Sequence, residues 1–378
     1  MGANVSKIVF HLNCLEQGGA ERVVTNLSAQ FAQEGYEVLV ATEWEAENEF
    51  TLDSRVRRIH VGLTESDEKR SRVGKYFARI RNLKEMLLQE KPDLLIAFAH
   101  KANYRALMAT LHIDVPVLIS VRTDPVGHYD SLTDKFLIPW LYPKIAGCVF
   151  QTEGQRDFFA KNIREKSRII LNPIHDKYIG RPPVTRRTKV ITQVGRLVDF
   201  KNQPMLIRAF AAVHQRFPEY TLEIYGGDSF DGTKEILESC IEQYDVADCV
   251  TLMGASDDIP GAIEDSAFFA FTSDWEGLPN ALMEAMALGL PVIATDCPCG
   301  GPRTIIRNGE NGILIPVKDQ DALEEAMYRY IEDARFAEHQ GMEARKLGET
   351  ANAHAIYLQW KDYVEEVIRC FHTKNIGK

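Results

Sequence analysis

The chain contains no run approaching the roughly 18 apolar residues that a membrane-crossing helix requires, and it does not open on a signal-peptide pattern. A secreted or membrane-spanning protein is therefore not expected. Cysteine is sparse and odd in number, with seven scattered residues, which suits reduced thiols in a cytoplasmic protein better than a disulfide framework. Cys297-Pro-Cys299 lacks a second ligand pair nearby and reads as a turn, not a metal site. The Gly-x-Gly-x-x-Gly dinucleotide fingerprint is missing, and no Asp-x-Asp metal motif is recognised. Positive charge is in deficit, with 44 Lys and Arg against 54 Asp and Glu for a net charge of −10. Such a chain is a poor nucleic-acid binder. Residues Met1-Gly2 to Ser6 formally fit an N-myristoylation pattern, but a strand expected from Lys7 leaves it little tether.

What is present is an ordinary globular composition, long enough at 378 residues for two domains with ample core. The charge is uneven. Residues 1–180 carry 24 basic against 23 acidic side chains, and residues 181–378 carry 20 against 31. Within the balanced half, Arg55 to Arg105 is locally basic.

The most informative stretch runs from Ala267 to Pro316. A short apolar run, Ala267 to Thr272, has the length of a buried strand. Ser273-Asp274-Trp275-Glu276-Gly277-Leu278-Pro279-Asn280 follows, then a helical pattern from Ala281 to Leu288 stopped by Gly289. Pro279 beside Asn280 reads as a helix start, and Gly289 as a left-handed residue closing it. Pro291 to Thr295 is a second strand, so parallel pairing is implied. Glu276 and Glu284 flank the helix N-terminus, whose unpaired N–H groups and positive dipole end favour an anion such as phosphate. The two carboxylates are placed to accept sugar hydroxyls. A nucleotide-sugar carries that set of groups. The bland alternative is a surface helix with two exposed Glu.

The Glu-x7-Glu spacing within SDWEGLPNALMEAMALGLPVIATD, with the later Gly-Gly-Pro-Arg, resembles the retaining glycosyltransferases of family 4, of GT-B fold. The resemblance implies that Glu276 faces the donor sugar and Glu284 takes the ribose hydroxyls, with Gly277, Leu278, Pro279, Asn280 and Ala281 completing the donor loop. Upstream, strand Val190 to Val194 leads into Gly195-Arg196 and, five residues after the Arg, Lys201. The spacing alone allows an ordinary charged loop; Arg196 and Lys201 match the family's diphosphate-binding pair. Met253, on a strand ending at Gly254, falls where relatives hold the nucleobase. The loop Gly226 to Gly232 departs from the shorter Gly-x-Gly-Pro usual in relatives, which puts the base-side pocket in question.

The first half opens with strand Lys7 to Leu12 and then Gly18-Gly19-Ala20-Glu21-Arg22 before an amphipathic helix. A glycine pair there lets backbone approach a ligand at the sheet edge. In the family such a loop, which GGAER resembles, lies under the diphosphate or beside the acceptor, so Gly19 is carried as a donor contact and Gly18 and Arg22 as acceptor contacts. Ser66 to Gln89 reads as one helix with Val73, Phe77, Ile80, Leu83 and Leu87 on an apolar face and Lys69, Arg70, Arg72, Lys75, Arg79, Arg81 and Lys84 elsewhere. It suits either an anionic membrane surface or packing on the sheet with a solvated basic side. His100-Lys101 ends strand Asp93 to Ala99; a lone His there is either a ligand contact or a structural residue. Arg122 follows strand Val117 to Val121, with Val121 where relatives often carry Glu, and is carried as a diphosphate or acceptor contact.

The expected architecture is α/β: an acceptor-binding Rossmann-like domain (1–180), a nucleotide-sugar-binding one (181–351) facing it across a cleft, and a helix in 352–378 crossing back to the first. The expected reaction is retaining transfer of a hexosyl or N-acetylhexosaminyl group from a nucleotide-diphosphate sugar, most simply UDP-linked, to a lipid-linked saccharide or glycan in cell-surface polysaccharide synthesis. The catalytic set is Glu276, Arg196, Lys201 and His100. No cofactor and no metal are called for, because two cations and a helix end neutralise the leaving group. Location on the inner face of the cytoplasmic membrane, through peripheral contact with anionic lipid, is the corresponding expectation. A sugar epimerase or phosphorylase of the same fold, or a non-catalytic partner subunit, are the alternatives. A phosphorylase should be much longer, and the intact Glu276, Glu284, Arg196 and Lys201 argue against the partner subunit.

Overall fold

The structure, a computed structural model, describes residues 6–16 and 18–376. Residues 1–5 of the myristoylation pattern and Gln17 of the glycine loop lie outside the described residues. Among the described residues no helix is long and apolar enough to cross a membrane.

The chain forms two compact units, one of residues up to Asn172 together with those from Ile356, the other Pro173–Ala355. The first crossing lies at Asn172–Pro173, before the 180/181 boundary read from turn residues. The reason is backbone pairing: the N–H of Ile174 donates to Ala351 O, and Ile174 bridges Asn352, so the segment after Pro173 is already tied to the second unit.

The first unit is a parallel sheet of β1 (Lys7–Leu12), β2 (Glu37–Thr42), β3 (Arg57–His60), β4 (Leu94–Phe98), β5 (Val117–Ser120), β6 (Gly147–Phe150) and β7 (Ser167–Ile169), ordered β3-β2-β1-β4-β5-β6-β7. The second is a parallel sheet of β8 (Val190–Val194), β9 (Thr221–Tyr225), β10 (Val250–Gly254), β11 (Phe268–Phe271), β12 (Val292–Thr295) and β13 (Ile313–Ile315), ordered β10-β9-β8-β11-β12-β13. Central strands such as β4 (LLIAF) and β11 (FFAF) are buried along their whole length, as sheets covered on both faces demand. In each sheet the strand order reverses once, between β1 and β4 and between β8 and β11. Doubly wound sheets bind ligands at the carboxyl ends of strands beside such a reversal.

The helix Ala353–Ile376 supplies residues from 356 onward to the first unit. Trp360 stacks on Phe98 with ring centroids 5.6 Å apart, and Tyr357 meets Phe31 edge-on at 4.9 Å. The Tyr363 hydroxyl accepts from the Cys148 N–H at 3.0 Å, and Arg168 pairs with Asp362 and Glu366. The first core is therefore closed by the end of the chain.

One element differs from its sequence reading. The basic helix runs Arg72–Glu90, capped by the Ser71 hydroxyl, and does not begin at Ser66. Leu83 and Leu87 are buried, but Val73 and Phe77 of the supposed single apolar face are exposed. Burial along the helix begins past Phe77, with Ala78, Ile80, Leu83, Met86 and Leu87 turned to the rest of the unit. Its cations are largely paired: Arg79 with Glu43, Arg81 with Asp67, Lys75 with Glu68.

Candidate functional site

At the reversal in the second sheet, the segment after β8 and the segment after β11 are bound to one another. Lys201 ends a short 3-10 turn, Asp199–Lys201, and its Nζ contacts Glu276 Oε1 as an ion pair, with both side chains mostly buried. Four further contacts hold these two loops together. The Thr272 hydroxyl donates to Lys201 O at 2.8 Å, and Asn202 Nδ2 donates to Asp274 Oδ1 at 2.9 Å. The Asp274 N–H donates to Phe200 O at 2.8 Å, and Phe200 stacks on Trp275 at 4.2 Å. Asn202 adopts the left-handed conformation, φ 47°, which Asn tolerates better than most residues. It turns the chain into the helix Gln203–Arg216. Arg196, on the same loop, is exposed, and its carbonyl accepts from Gln203 Nε2 at 3.1 Å.

Glycines bring these backbones together. A Cβ on Gly226, just after β9, would lie 2.0 Å from Gly195 O, and one on Gly301 would lie 1.9 Å from Gly277 O. Gly195 in turn makes room for Lys201, whose Cε would sit 3.3 Å from a Cβ there. The helix Asn280–Ala287 starts at Pro279, which as N-cap offers no side-chain acceptor to the first N–H groups. Leu278 and Pro279 are buried beneath the loop, Ala281 is half-buried, and Glu284 lies one turn into the helix, half-buried. Gly289 closes the helix with φ 81°. Lys201, Glu276 and the helix start thus occupy one edge of the sheet: a cation, a carboxylate and an array of N–H donors. Met253 is exposed on the edge strand β10.

In the first unit, β4 is followed directly by Ala99, an alanine with φ 77° and ψ 150°, and His100 begins the next helix at once. That conformation costs an alanine roughly 1–3 kcal/mol, and it sets His100 at the carboxyl edge of the sheet. Asp134 Oδ1 lies 2.7 Å from His100 Nε2 and accepts from the Tyr104 hydroxyl at 2.7 Å. Burial pushes the Asp134 carboxyl up, but hydrogen bonds from Ser131 and Tyr104 and the nearby His100 more than offset it, leaving it below the usual range. Burial holds the His100 imidazole below its ordinary value. Beside it a cavity of about 810 Å³ is lined by Asn13, Glu43, Trp44, Tyr76, Lys101 and Leu137 among others. Its floor is charged: Glu43 is ion-paired with Arg105 and lies 3.1 Å from Arg79 Nε. Burial raises the Glu43 carboxyl. Gly18 caps the helix Gly19–Gln33, and its carbonyl accepts from the Arg22 N–H at 3.1 Å.

Residues 17–178 match the family description Glycosyltransferase Family 4, and residues 176–347 match Glycosyl transferases group 1. The chain belongs to the family 4 glycosyltransferases, of GT-B fold. The glycosyltransferase is 22% identical over 360 residues to an uncharacterized glycosyltransferase of Haemophilus influenzae, covering 93% of this chain and 98% of that one. It is 21% identical over 362 residues to a Campylobacter jejuni enzyme named as an α-1,4-N-acetyl-D-galactosaminyltransferase acting on a diphospho-undecaprenol-linked saccharide, covering 96% and 99%. The crystal structure of Anabaena HepE in complex with UDP superposes with a TM-score of 0.79 at 19% identity, covering 95% of this chain and 100% of that one.

Arg122, which follows β5, is held from two sides: its guanidinium lies 5.0 Å from the Phe98 ring and 5.5 Å from that of Trp360, and Nη1 donates to Asn172 Oδ1 at 2.7 Å. Burial lowers it to about 9. Through the Trp360 contact it links the end of β5 to the C-terminal helix. An Asp-x-Asp triplet does occur, Asp319-Gln320-Asp321, but Asp319 is the cap of the helix Gln320–Glu332, accepting from the Ala322 N–H at 3.0 Å. Among the described residues no group of three or more His, Cys, Asp or Glu is arranged to hold a metal. The residues missed from sequence are Asn13, Glu43, Arg105, Tyr104 and Asp134. Asn13 and Glu43 each follow a strand directly, a signal that could have been used; Asp134 becomes legible only once its helix packs against His100.

Proposed function

We propose that this glycosyltransferase moves a hexosyl or N-acetylhexosaminyl group from a UDP-sugar, with retention, to a lipid-linked saccharide. The observation that carries this reading is the Lys201–Glu276 contact beside the uncapped start of the helix Asn280–Ala287. A diphosphate fits the N–H groups of that helix start together with Lys201 and Arg196. Glu276 then lies on the sugar side and Glu284 on the ribose side. Gly195, Gly277 and Gly19 let backbone come close, and Met253 borders the base.

As the bond from the anomeric carbon to the β-phosphate oxygen breaks, negative charge grows on the phosphate. Lys201, Arg196 and the helix dipole stabilise it, so no metal is needed for that task. The acceptor oxygen bonds to the same carbon on the same face, and its proton passes to the departing phosphate. Glu276, held by Lys201, orients the hexose without forming a covalent bond. The acceptor is assigned to the first unit: Gly18, Arg22, His100 and Lys101 border it, with Asp134 fixing the His100 ring. The apolar walls and charged floor of the groove beside Glu43 suit a saccharide diphosphate bearing a lipid. The Campylobacter relative's named substrate supports that class, and work on the inner face of the cytoplasmic membrane follows from it.

The test is product formation from a panel of nucleotide-sugars with a polyprenyl-diphosphate saccharide acceptor, with and without EDTA. Transfer from one UDP-sugar, α-linked and insensitive to chelation, is expected. A β-linked product or full loss of activity in EDTA would overturn the retaining, metal-independent reading.

A further inference from the structure

Three large apolar side chains project from the helix Leu132–Leu141: Leu132 is 86% exposed, Phe136 72% and Trp140 44%. Spaced four residues apart, they form one stripe. The exposed Val73 and Phe77, at 65% and 62%, add a second apolar pair on the helix Arg72–Glu90. Both helices flank the apolar groove, to which Val73 and Leu137 contribute. Contiguous apolar surface of this kind marks an interaction site.

The charge around it indicates the occupant. The carboxylate of the Leu132–Leu141 helix, Asp134, is turned inward to Ser131, Tyr104 and His100, while Lys135 is exposed. Lys144 follows, its Nζ 5.4 Å from the Trp140 ring. Arg72 and Lys101 line the groove. The exposed acids on and beside these helices are Asp130, Glu65, Glu68 and Glu85, of which Glu68 pairs with Lys75 and Glu85 lies 3.7 Å from Arg81; the exposed cations there besides Arg81 are Lys69, Arg70, Arg72, Lys101, Lys135 and Lys144. A chain of net charge −10 therefore presents an apolar face with a mostly cationic rim. Trp and Lys bordering exposed Leu and Phe is the composition of a bilayer interface.

We propose that this face, with Leu132, Phe136 and Trp140 at its centre, inserts into the interfacial layer of an anionic lipid bilayer. The inference deepens the membrane part of the reading above and rests on it, and it moves the attachment from the basic helix to an apolar stripe. Insertion there brings the mouth of the groove to the lipid, where a membrane-bound acceptor lies.

The experiment is vesicle co-sedimentation of the full chain with phosphatidylglycerol–phosphatidylethanolamine or phosphatidylcholine vesicles, alongside the L132S/F136S/W140S variant. Wild type is expected to partition onto the anionic vesicles, and in part to stay bound at about 0.5 M salt, where surface charge is screened. The triple variant should partition roughly tenfold or more weakly, with unchanged circular dichroism and UDP affinity as controls of folding. Quenching by brominated acyl chains should fall in Trp140→Phe. Equal partitioning of variant and wild type would overturn the stripe while leaving membrane attachment standing. Failure of wild type to bind either vesicle would overturn both. A wild-type dimer that the triple variant dissociates, with vesicle binding unaffected, would assign the face to a second copy of the chain and overturn the proposal.

Discussion

Lys201 touches Glu276 and Arg196 does not, so the proposed reading gives the two cations of the loop different tasks. On the proposed reading, Arg196→Ala removes one charge-assisted contact to phosphate, worth about 1.5–3 kcal/mol. It should weaken UDP binding roughly tenfold or more, with turnover at saturating donor changing less. Lys201→Ala should lose a similar amount of affinity and, because Glu276 is then unheld, a larger share of turnover. Calorimetry with UDP and steady-state kinetics separate the two; identical profiles would deny Lys201 its positioning role. A second residue-scale prediction concerns stability. His11 is fully enclosed, its Nδ1 is 3.1 Å from Ala41 O, and burial, aided by the Arg105 charge, lowers its pKa from 6.5 to about 3. A depressed folded-state value means the unfolded chain takes up the proton first. Stability from His11 is therefore complete above pH 6.5 and falls by up to about 1.4 kcal/mol per pH unit below it. Glu43, raised by burial, opposes this only as it gains its own proton. Urea denaturation at pH 7 and pH 5.5 should show a smaller drop in His11→Gln than in wild type; equal drops would contradict the assignment.

At the scale of elements, the loops after β8 and β11 depend on glycines that let backbone meet backbone. Gly226→Ala would set a Cβ 2.0 Å from Gly195 O and 2.7 Å from its carbonyl carbon, neither a flexible side-chain end, whereas Gly227→Ala meets nothing within 4 Å. We expect Gly226→Ala to weaken UDP binding roughly tenfold or more and to lower the melting temperature by several degrees, with Gly227→Ala close to wild type. Equal behaviour of the two would show that the loop tolerates the shift. Elements with strong local signals were readable from sequence: Pro279-Asn280 as a helix start, Gly289 as its end, and β11 and β12 as buried strands. The helix Arg72–Glu90 was not, because its period of apolar residues is correct while Val73 and Phe77, near its start, stay exposed. Periodicity reports a face; it does not report how far along that face the partner extends.

For the whole molecule, alternating strands and helices identified two Rossmann-like units, and the terminal helix was rightly sent back to the first. The packing of Arg122 was not legible, since it depends on Trp360, more than two hundred residues away, closing over it. That closure is testable. Trp360 is fully buried against Phe98 and the Arg122 guanidinium, so Trp360→Ala should cost about 3–5 kcal/mol. The loss should fall on the unit holding residues up to Asn172, and the second unit, with its own core, should keep UDP binding. Hydrogen exchange that rises in β4 and β5 but not in β8 and β11 is the expected signature; uniform loss would mean the two cores unfold as one.

The donor is proposed to lie across the start of the helix Asn280–Ala287 with its ribose toward Glu284, and UDP affinity in Glu276→Gln and Glu284→Gln reads that direction. In the proposed orientation Glu284 meets the ribose, a contact present in ground and transition states alike, so Glu284→Gln should lose UDP binding by roughly tenfold or more. In that orientation Glu276 lies on the hexose side with nothing to hold in UDP itself, so Glu276→Gln should bind UDP as wild type does while turnover falls by roughly 10²-fold. Lost UDP affinity in Glu276→Gln with normal affinity in Glu284→Gln would place the nucleotide at the opposite end and contradict the account.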